Sequence, residues 1–169
     1  MNKVGSFSPI EINAQSSIIL ANDLQHFVAG RALFREYFAT LDFDISFQDP
    51  DGELRDFAQI YSSPEGAMLL VKEGSNYVGC AGIREQSEGV CELKRTYLQP
   101  GSRGKGLGKQ LLLSCMEEAR RLGYRQMVLD THSVKMTAAI AMYKKHGFKE
   151  IAPYYYNPVP EARFYGREL

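Results

Sequence analysis

The sequence predicts an α/β protein with a central mixed sheet of about seven strands and helices on both faces, in the order β-α-α-β-β-β-α-β-α-β-β. Three observations favour this class. Three strand-like segments follow one another between residues 67 and 98. A strand, a helix and another strand then occupy residues 89–131, and a further helix and a closing hairpin follow. The 169 residues, 1–169, are predicted to form a single domain.

The N-terminal part is predicted to hold one strand and two helical regions. Residues 9–13 (PIEIN) alternate between apolar and polar side chains and could form the first strand. From residue 16 or 17 to about residue 40, apolar residues fall at helical spacing. Pro-Asp-Gly at 50–52 predicts a turn, and a short helix is expected over 53–61.

The middle of the chain is predicted to form three consecutive strands. AMLLVKE (67–73) and NYVGCAGIRE (76–85) are joined by Gly-Ser-Asn and should form a hairpin. GVCELKRTYL (89–98) is the third strand, and the proline that follows it ends it. Alternation along this strand predicts that one face carries Glu92, Lys94, Thr96 and Leu98.

Beyond residue 106 the apolar period becomes helical. A helix is expected over 106–122, with Gly123 as its C-terminal cap. QMVLDT (126–131) is a short apolar strand of the kind found in parallel pairing. Residues 89–131 therefore form a β-α-β unit with parallel strands and a right-handed crossover. A second helix is predicted over 135–146, and 148–169 should form two strands around a proline-rich turn.

Composition restricts the location and the partners. Twenty Lys and Arg balance twenty Asp and Glu, which argues against nucleic-acid binding by general electrostatics. No apolar run approaches the roughly 20 residues of a membrane span, and the N-terminus lacks the apolar run of a signal peptide. The three cysteines form no C-x-x-C pair, which favours a reducing cytoplasm. Three scattered histidines suggest no metal site.

A glycine-rich loop, RGKGLGKQLL at 103–112, joins the third strand to the helix that follows. A helix N-terminus offers unpaired N–H groups and a positive dipole end, which bind phosphate, and glycines allow the anion to approach the backbone. The P-loop pattern fails at two positions, and the dinucleotide pattern G-x-G-x-x-G fails in both possible registers. The alternative is a glycine-rich turn without a ligand.

A third pattern fits this loop. Residues 103–108 match R/Q-x-x-G-x-G/A after a strand that ends in Tyr97 and Leu98. This resembles the signature of the GCN5-related N-acetyltransferase (GNAT) family, in which the loop cradles the pyrophosphate of acetyl-CoA. AAIAMYKKHGF (138–148) is similar to a helix of that family, and the resemblance spans roughly residues 65–153. It implies an acetyl-CoA-binding core at 65–153 and acceptor-site helices at 16–61.

The resemblance implies direct acyl transfer from a thioester to an amine, with acetyl-CoA as cosubstrate. Tyr143 matches the tyrosine that serves the leaving thiolate, and Glu92 matches a catalytic base that acts directly or through a water. Tyr143 could instead pack in the core, and Glu92 could be a surface residue paired with Lys94 or Arg84. The residues expected to bind the cofactor are Tyr97, Leu98, Arg103, Gly104, Lys105, Gly106, Leu107, Gly108 and Lys109.

One position departs from the family pattern, and one histidine is a further candidate base. Met136 stands where many members of the family carry a cofactor-binding asparagine, so Thr137 or Ser133 would have to supply that contact. His132 follows a strand near the expected acceptor, where it could be a second base or a solvated loop histidine.

The acceptor is the least determined part. Residues 36–56 carry seven acids against one base, which could attract a cationic amine or could simply be a solvated loop. Tyr154, Tyr155 and Tyr156 could line an aromatic pocket or fasten a hairpin. The expected acceptor is a small-molecule, amino-acid-derived or peptide amine, used by a monomer or homodimer without nucleic-acid or membrane partners. The alternative function is a non-catalytic acyl-CoA-binding sensor.

Overall fold

The computed structural model describes residues 7–169, which contain one sheet of eight strands. Two single 3-10 turns, at Ser46–Gln48 and Pro100–Ser102, accompany the helices. In chain order the elements are β1 (Ile10–Asn13), β2 (Ser16–Leu20), α1 (Leu24–Thr40), α2 (Pro50–Arg55), α3 (Phe57–Ile60), β3 (Ala67–Glu73), β4 (Asn76–Ser87), β5 (Val90–Leu98), α4 (Leu107–Arg121), β6 (Gln126–His132), α5 (Thr137–Lys145), β7 (Lys149–Ile151) and β8 (Ala162–Glu168).

The strands lie in the order β1-β2-β3-β4-β5-β6-β8-β7. β5 and β6 are parallel, and their pairing covers Val90–Glu92 against Gln126–Val128. The other neighbouring pairs are antiparallel. The mixed sheet, the parallel β-α-β unit and the closing hairpin are therefore confirmed. The sheet has eight strands where about seven were predicted, because two strands precede the first helix.

The predicted start of the first helix is wrong. Residues 16–20 form strand β2, which pairs with β3 and buries Ile18 completely. Consecutive β-branched isoleucines suit a strand, and the available edge of β3 provides the backbone partners that helical spacing could not reveal. Helix α1 begins at Leu24, and its cap is Asp23, whose carboxylate accepts a 2.8 Å hydrogen bond from the His26 N–H.

The predicted turn at Pro-Asp-Gly is also wrong, because these residues form the first turn of helix α2. Pro50 occupies the first helical position, where a backbone N–H would have no acceptor within the helix. Proline therefore loses no hydrogen bond there. The Asp49 carboxylate accepts a 3.1 Å hydrogen bond from the Gly52 N–H and caps the helix. The predicted short helix is thus two short helices, α2 and α3.

Helices cover both faces of the sheet, as predicted. Helix α1 packs against β3, β4 and β5 on one face, and α4 packs against the same strands on the other. The three cysteines are buried and unpaired. Among residues 7–169, no helix is long and apolar enough to cross a membrane. The same residues contain no group of three or more His, Cys, Asp or Glu side chains placed to hold a metal ion.

A β-bulge in β5 interrupts the predicted alternation. Arg95 has φ +55°, and the pair Arg95 and Thr96 lies opposite the single residue Ala81 of β4. Beyond the bulge the side chains exchange faces. Tyr97 packs on the α1 side, and Leu98 packs in the cluster on the α4 side. The prediction that Leu98 shares a face with Glu92 is therefore wrong.

A buried ion pair holds the bulge in place. Arg95 Nη2 lies 2.7 Å from Glu53 Oε2, and both side chains are almost fully buried. The Tyr61 hydroxyl donates to the other oxygen of Glu53. Burial raises the pKa of Glu53, but the hydrogen bonds and charge of Arg95 outweigh it and hold the pKa below its usual range. The pair therefore stabilises the fold above the usual carboxyl pKa and loses this effect as the pH falls through the lowered value.

Replacing Arg95 by methionine should lower the free energy of unfolding by about 3–5 kcal/mol, because Glu53 is then buried without its cation. The double variant Arg95→Met/Glu53→Gln should recover part of this loss, since no charge remains. Urea denaturation of the single and double variants measures the coupling. Arg55→Met removes an exposed ion pair with Asp56 and is the control. Equal losses for Arg95→Met and Arg55→Met would contradict a supporting role for the buried pair.

Candidate active site

An opening separates β5 from β6 beyond their short parallel pairing. Pairing between the two strands ends at Glu92 and Val128, although β5 continues to Leu98 and β6 to His132. The bulge at Arg95 bends β5 at this point. A cavity, called here the inter-strand cavity, lies in the opening and is lined by residues of both strands, including Thr96 and Asp130.

The glycine loop lies at the N-terminus of α4. Gly104 has φ +78° and Gly106 has φ +80°, a backbone conformation that side chains with a Cβ rarely adopt. A Cβ built on either glycine would meet nothing within 4 Å, so the space in front of the loop is open. No side chain of residues 7–169 caps α4. The first N–H groups of this helix are thus free of a side-chain acceptor and carry the positive end of its dipole.

Three cations surround the loop, and two of them have partners. Lys105 Nζ lies 2.9 Å from Glu73, whose other oxygen accepts a 2.5 Å hydrogen bond from Ser102. The hydrogen bonds from Ser102 and Lys105 lower the pKa of Glu73. Arg103 Nε donates to the Leu98 carbonyl at 2.9 Å, which ties the loop to the end of β5. Lys109 is exposed.

A cleft runs from the loop to the inter-strand cavity. Tyr97, Leu98 and Arg103 line it on the β5 side, and Met136 and Thr137 line it on the side of α5. Met136 also lines the inter-strand cavity, so an apolar side chain occupies the junction of the two spaces. Of the two substitutes considered for the missing asparagine, Thr137 lies in this cleft.

Tyr143 lies on α5, is 6% exposed and lines the inter-strand cavity. Its ring packs against Phe148, with the ring centroids 5.7 Å apart. Burial raises the pKa of Tyr143 to about 12, against a smaller lowering by a hydrogen bond with Thr96. The phenol is therefore protonated at neutral pH. Tyr143 packs in the core and also reaches the cavity. Packing and an interaction with the leaving thiolate are therefore compatible roles for this side chain.

Glu92 lies in a neighbouring cavity, the side cavity, which it shares with Arg84 and Lys94. Its side chain is 3% exposed, and Arg84 Nη2 lies 2.7 Å from its Oε2. The Tyr154 hydroxyl donates to Oε1 at 2.8 Å, and Lys94 Nζ lies 3.6 Å from the same oxygen. Glu92 therefore makes the expected ion pairs with Arg84 and Lys94, but it is buried and does not line the cavity that Tyr143 lines.

Lys94 connects Glu92 to a carboxylate that the sequence analysis missed. Lys94 Nζ lies 3.6 Å from Asp130 Oδ1 and equally far from Glu92, and Gln48 accepts a 3.1 Å hydrogen bond from it. Burial lowers the pKa of Lys94, and the charge of Arg95 lowers it further, against the opposing effects of Asp130 and Glu92. The row Glu92, Lys94 and Asp130 thus joins the side cavity to the inter-strand cavity.

Asp130 lines the inter-strand cavity together with Tyr143. Its Oδ2 accepts hydrogen bonds from the Tyr155 hydroxyl at 2.7 Å and from Asn157 Nδ2 at 3.2 Å. The sequence signal for Asp130 was its carboxyl group near the C-terminal end of the apolar strand at 126–131, two residues before His132. Tyr154 and Tyr155 therefore fix two carboxylates, whereas Tyr156 is exposed.

His132 lies in the inter-strand cavity and is not solvated. It is 8% exposed, and its ring centroid lies 4.9 Å from that of Phe43. Its Nδ1 accepts hydrogen bonds from the N–H groups of Val134 and Lys135, at 3.3 and 3.4 Å. This nitrogen is engaged with the backbone, so in the neutral ring the hydrogen lies on Nε2, which can donate to a ligand and is 4.0 Å from Glu161 Oε2.

The acids of residues 36–56 do not line the inter-strand cavity. Asp42 pairs with Lys135, Asp44 accepts hydrogen bonds from Ser46, and Glu53 pairs with Arg95. The residues that this segment contributes to the cavity are mainly apolar: Tyr37, Leu41, Phe43, Ile45, Phe47 and Gln48. The acidic rim considered in the sequence analysis is therefore absent from this wall of the cavity, and an apolar wall replaces it.

Comparison with known proteins agrees with this arrangement. An uncharacterised N-acetyltransferase of Schizosaccharomyces pombe is 36% identical over 156 residues, which cover 91% of this chain and 93% of the relative. A crystal structure of an acetyltransferase from Streptococcus agalactiae shares the fold, with a TM-score of 0.74, 22% identity and coverage of 93% of this chain and 100% of that chain.

A second solved structure is that of a protein described as an acetyltransferase, from Salmonella typhimurium with acetyl-CoA. It has a TM-score of 0.69 and 22% identity, and it covers 92% of this chain and 94% of its own. Residues 30–148 match the Acetyltransferase (GNAT) family. The sheet, the glycine loop and these similarities together show that the chain is an acetyltransferase of the GNAT family.

Proposed function

We propose that this protein transfers the acetyl group of acetyl-CoA directly to a primary amine of a small molecule, an amino-acid derivative or a peptide. The observation that carries the proposal is the opening between β5 and β6. It has the glycine loop at one end and Tyr143 at the other, with a cleft between them. The similar structure solved with acetyl-CoA supports the choice of cosubstrate.

The cofactor-binding residues are those at the loop and the end of β5. The N–H groups at the start of α4, which no side chain of the described residues caps, and the charges of Arg103, Lys105 and Lys109 would hold the diphosphate. The backbone of Tyr97 and Leu98 would hold the pantetheine arm, since β5 has no β6 partner beyond Glu92. Acetyl-CoA supplies the thioester. In this assignment residues 65–153 bind it, and residues 16–61 and 148–169 wall the acceptor.

Tyr143 is assigned the role of stabilising or protonating the leaving thiolate. During transfer a bond forms between the amine nitrogen and the carbonyl carbon, and the bond between that carbon and sulfur breaks. The departing sulfur carries negative charge, and the Tyr143 hydroxyl would donate a hydrogen bond or its proton to it. Burial keeps this phenol protonated and therefore able to donate.

Glu92 is assigned the role of the base that accepts the proton of the amine. Because Glu92 does not line the inter-strand cavity, the proton would reach it through a water, which takes the proton of the amine and gives one to Glu92. Lys94, whose Nζ lies 3.6 Å from both Glu92 and Asp130, would balance the charge of the two carboxylates. His132 lines the same cavity and is the alternative base, although its Nδ1 would have to release the N–H groups of Val134 and Lys135 to accept the proton.

An amine panel with acetyl-CoA tests the function, with released thiol as the readout. Thiol release that depends on the amine supports acetyl transfer. Binding of acetyl-CoA without thiol release for any amine would favour the acyl-CoA sensor instead. The three unpaired, buried cysteines are consistent with a cytoplasmic enzyme, which fractionation of the source cells would check.

Gly106→Val should abolish CoA binding in a folded protein, because the new side chain would fill the space in front of the loop. Gly123→Val is the matched control. Gly123 has φ +93°, also faces open space and lies beyond the far end of α4. Both variants should lose comparable stability, and calorimetric titration with CoA should find binding only in the control. Undiminished CoA affinity in folded Gly106→Val would remove the loop from the cofactor site.

Tyr143→Phe should lower turnover by about 10²-fold or more, with little change in the KM for acetyl-CoA, because it deletes a proton donor and preserves packing. Tyr124→Phe is the control, since Tyr124 is a buried tyrosine that donates to the Glu65 carbonyl at 2.6 Å. Because the pKa of Tyr143 is about 12, the wild-type rate should not decline up to pH 10. Turnover within about twofold of wild type, with chemistry rate-limiting, would leave Tyr143 a packing residue.

Glu92→Gln should slow turnover near pH 7 and regain part of the rate toward pH 10, where an amine of pKa about 10 loses its proton unaided. Turnover is measured from about pH 6 to 10 with a single amine. Arg84→Gln breaks the same ion pair and keeps the carboxylate, so it separates loss of the base from loss of the pair. If the pH profiles of both variants superimpose on each other, the role of Glu92 is structural.

A further inference from the structure

One wall of the inter-strand cavity is built from alternate residues of a single segment. Leu41, Phe43, Ile45 and Phe47 line the cavity and are partly buried, whereas the residues between them are exposed. Asp42, between the first two, is outside the cavity and pairs with Lys135 beside the cleft. This segment, which we call the apolar strip (41, 43, 45 and 47), therefore presents hydrocarbon to the cavity and keeps its charges outside it.

The other walls of the cavity contribute few charges. Met136, Ala139, Val159 and Ala162 also line it, together with the uncharged polar side chains of Gln48, Thr131 and Asn157. Arg95 also reaches it, but its guanidinium is bound by Glu53. An ionised group placed against the apolar side chains would lose its hydration without gaining a partner, which is unfavourable. The space beside the apolar strip is therefore suited to an uncharged, apolar body.

Asp130 is the one carboxylate among the described residues that line this cavity. Its Oδ2 accepts the two hydrogen bonds from Tyr155 and Asn157. No hydrogen bond to its Oδ1 is found within residues 7–169, and Lys94 Nζ lies 3.6 Å from that oxygen. Two side chains thus fix the carboxylate and leave one oxygen able to accept a hydrogen bond from an ammonium group.

We propose that the acceptor is a primary amine on an apolar body, with its ammonium group bound by Asp130 and its body packed against the apolar strip. This inference rests on the proposed acetyl transfer for its biological meaning, but it concerns binding and can be tested without turnover. It narrows the acceptor to monoamines with an aliphatic or aromatic body. Amines with a second charge at the far end, such as diamines and amino acids with a distal carboxylate, are excluded.

The test is calorimetric binding of amines to the full chain, with and without saturating CoA, alongside thiol release with acetyl-CoA. Affinity should rise about fourfold for each methylene from propylamine to hexylamine, because each one is buried against the apolar strip. Hexylamine and 1,6-diaminohexane form a matched pair of equal chain length. The diamine should bind at least about tenfold more weakly, since its second ammonium has no partner.

Asp130→Asn should weaken hexylamine binding at least about tenfold and leave CoA binding unchanged, because the amide keeps the shape and lacks the charge. Asp44→Asn is the matched control, since Asp44 lies in the same segment, is exposed and lines neither the inter-strand cavity nor the cleft. Phe43→Asp places a charge in the apolar strip and should reverse the preference in favour of the diamine. This variant tests the proposal by a gain of affinity, so it does not depend on how Asp130→Asn folds.

The outcomes separate this inference from the proposed function. Selective binding of hexylamine without thiol release would support the inference and count against acetyl transfer. Thiol release with the diamine as good an acceptor as hexylamine would support acetyl transfer and overturn the inference. Equal binding of hexylamine by wild type and Asp130→Asn, or no binding of any amine in the series, would also overturn it.

Discussion

The buried ion pair between Arg95 and Glu53 is the interaction on which the site depends. Arg95 has a positive φ, which is unfavourable for a residue with a Cβ and persists only where surrounding contacts enforce it. Glu53 from α2 and the Tyr61 hydroxyl provide these contacts. Neither charge can separate from the other without remaining in the interior unpaired. The pair therefore anchors α2 to the bulge, and the bulge accompanies the divergence of β5 from β6.

The opening between the strands brings together groups that lie far apart in the sequence. Thr96 and Leu98 border it from β5, Asp130 and His132 from β6, and Tyr143 from α5. The glycine loop ends the cleft at one side because it connects the end of β5 at Leu98 to the start of α4 at Leu107. The acetyl donor entering along the cleft and the amine acceptor entering beside the apolar strip would meet next to Tyr143. Direct transfer requires the two substrates to be adjacent in this way.

Charge around the opening is balanced by pairs and by a row of three groups. Arg84 pairs with Glu92, Arg95 pairs with Glu53, and Lys94 lies between Glu92 and Asp130. Except for Arg84, whose side chain is 37% exposed, these groups are largely buried, so their charges interact more strongly than they would at the surface. The same arrangement gives Glu92 two functions that are not exclusive: it neutralises buried cations, and under the proposed function it receives a proton.

The sequence by itself determined the features that depend on neighbouring residues. These are the glycine loop before a helix, the strand-helix-strand unit of 89–131, the closing hairpin and the place of Tyr143. Local spacing suffices there, because turn geometry and helical period are set within a few residues. Only the tertiary structure decided that residues 16–20 form a strand, that β5 bulges at Arg95 and that Asp130 joins Tyr143 in one cavity. Each of these results from pairing between segments distant in the chain, whose free energy can outweigh local preference and which no local pattern encodes.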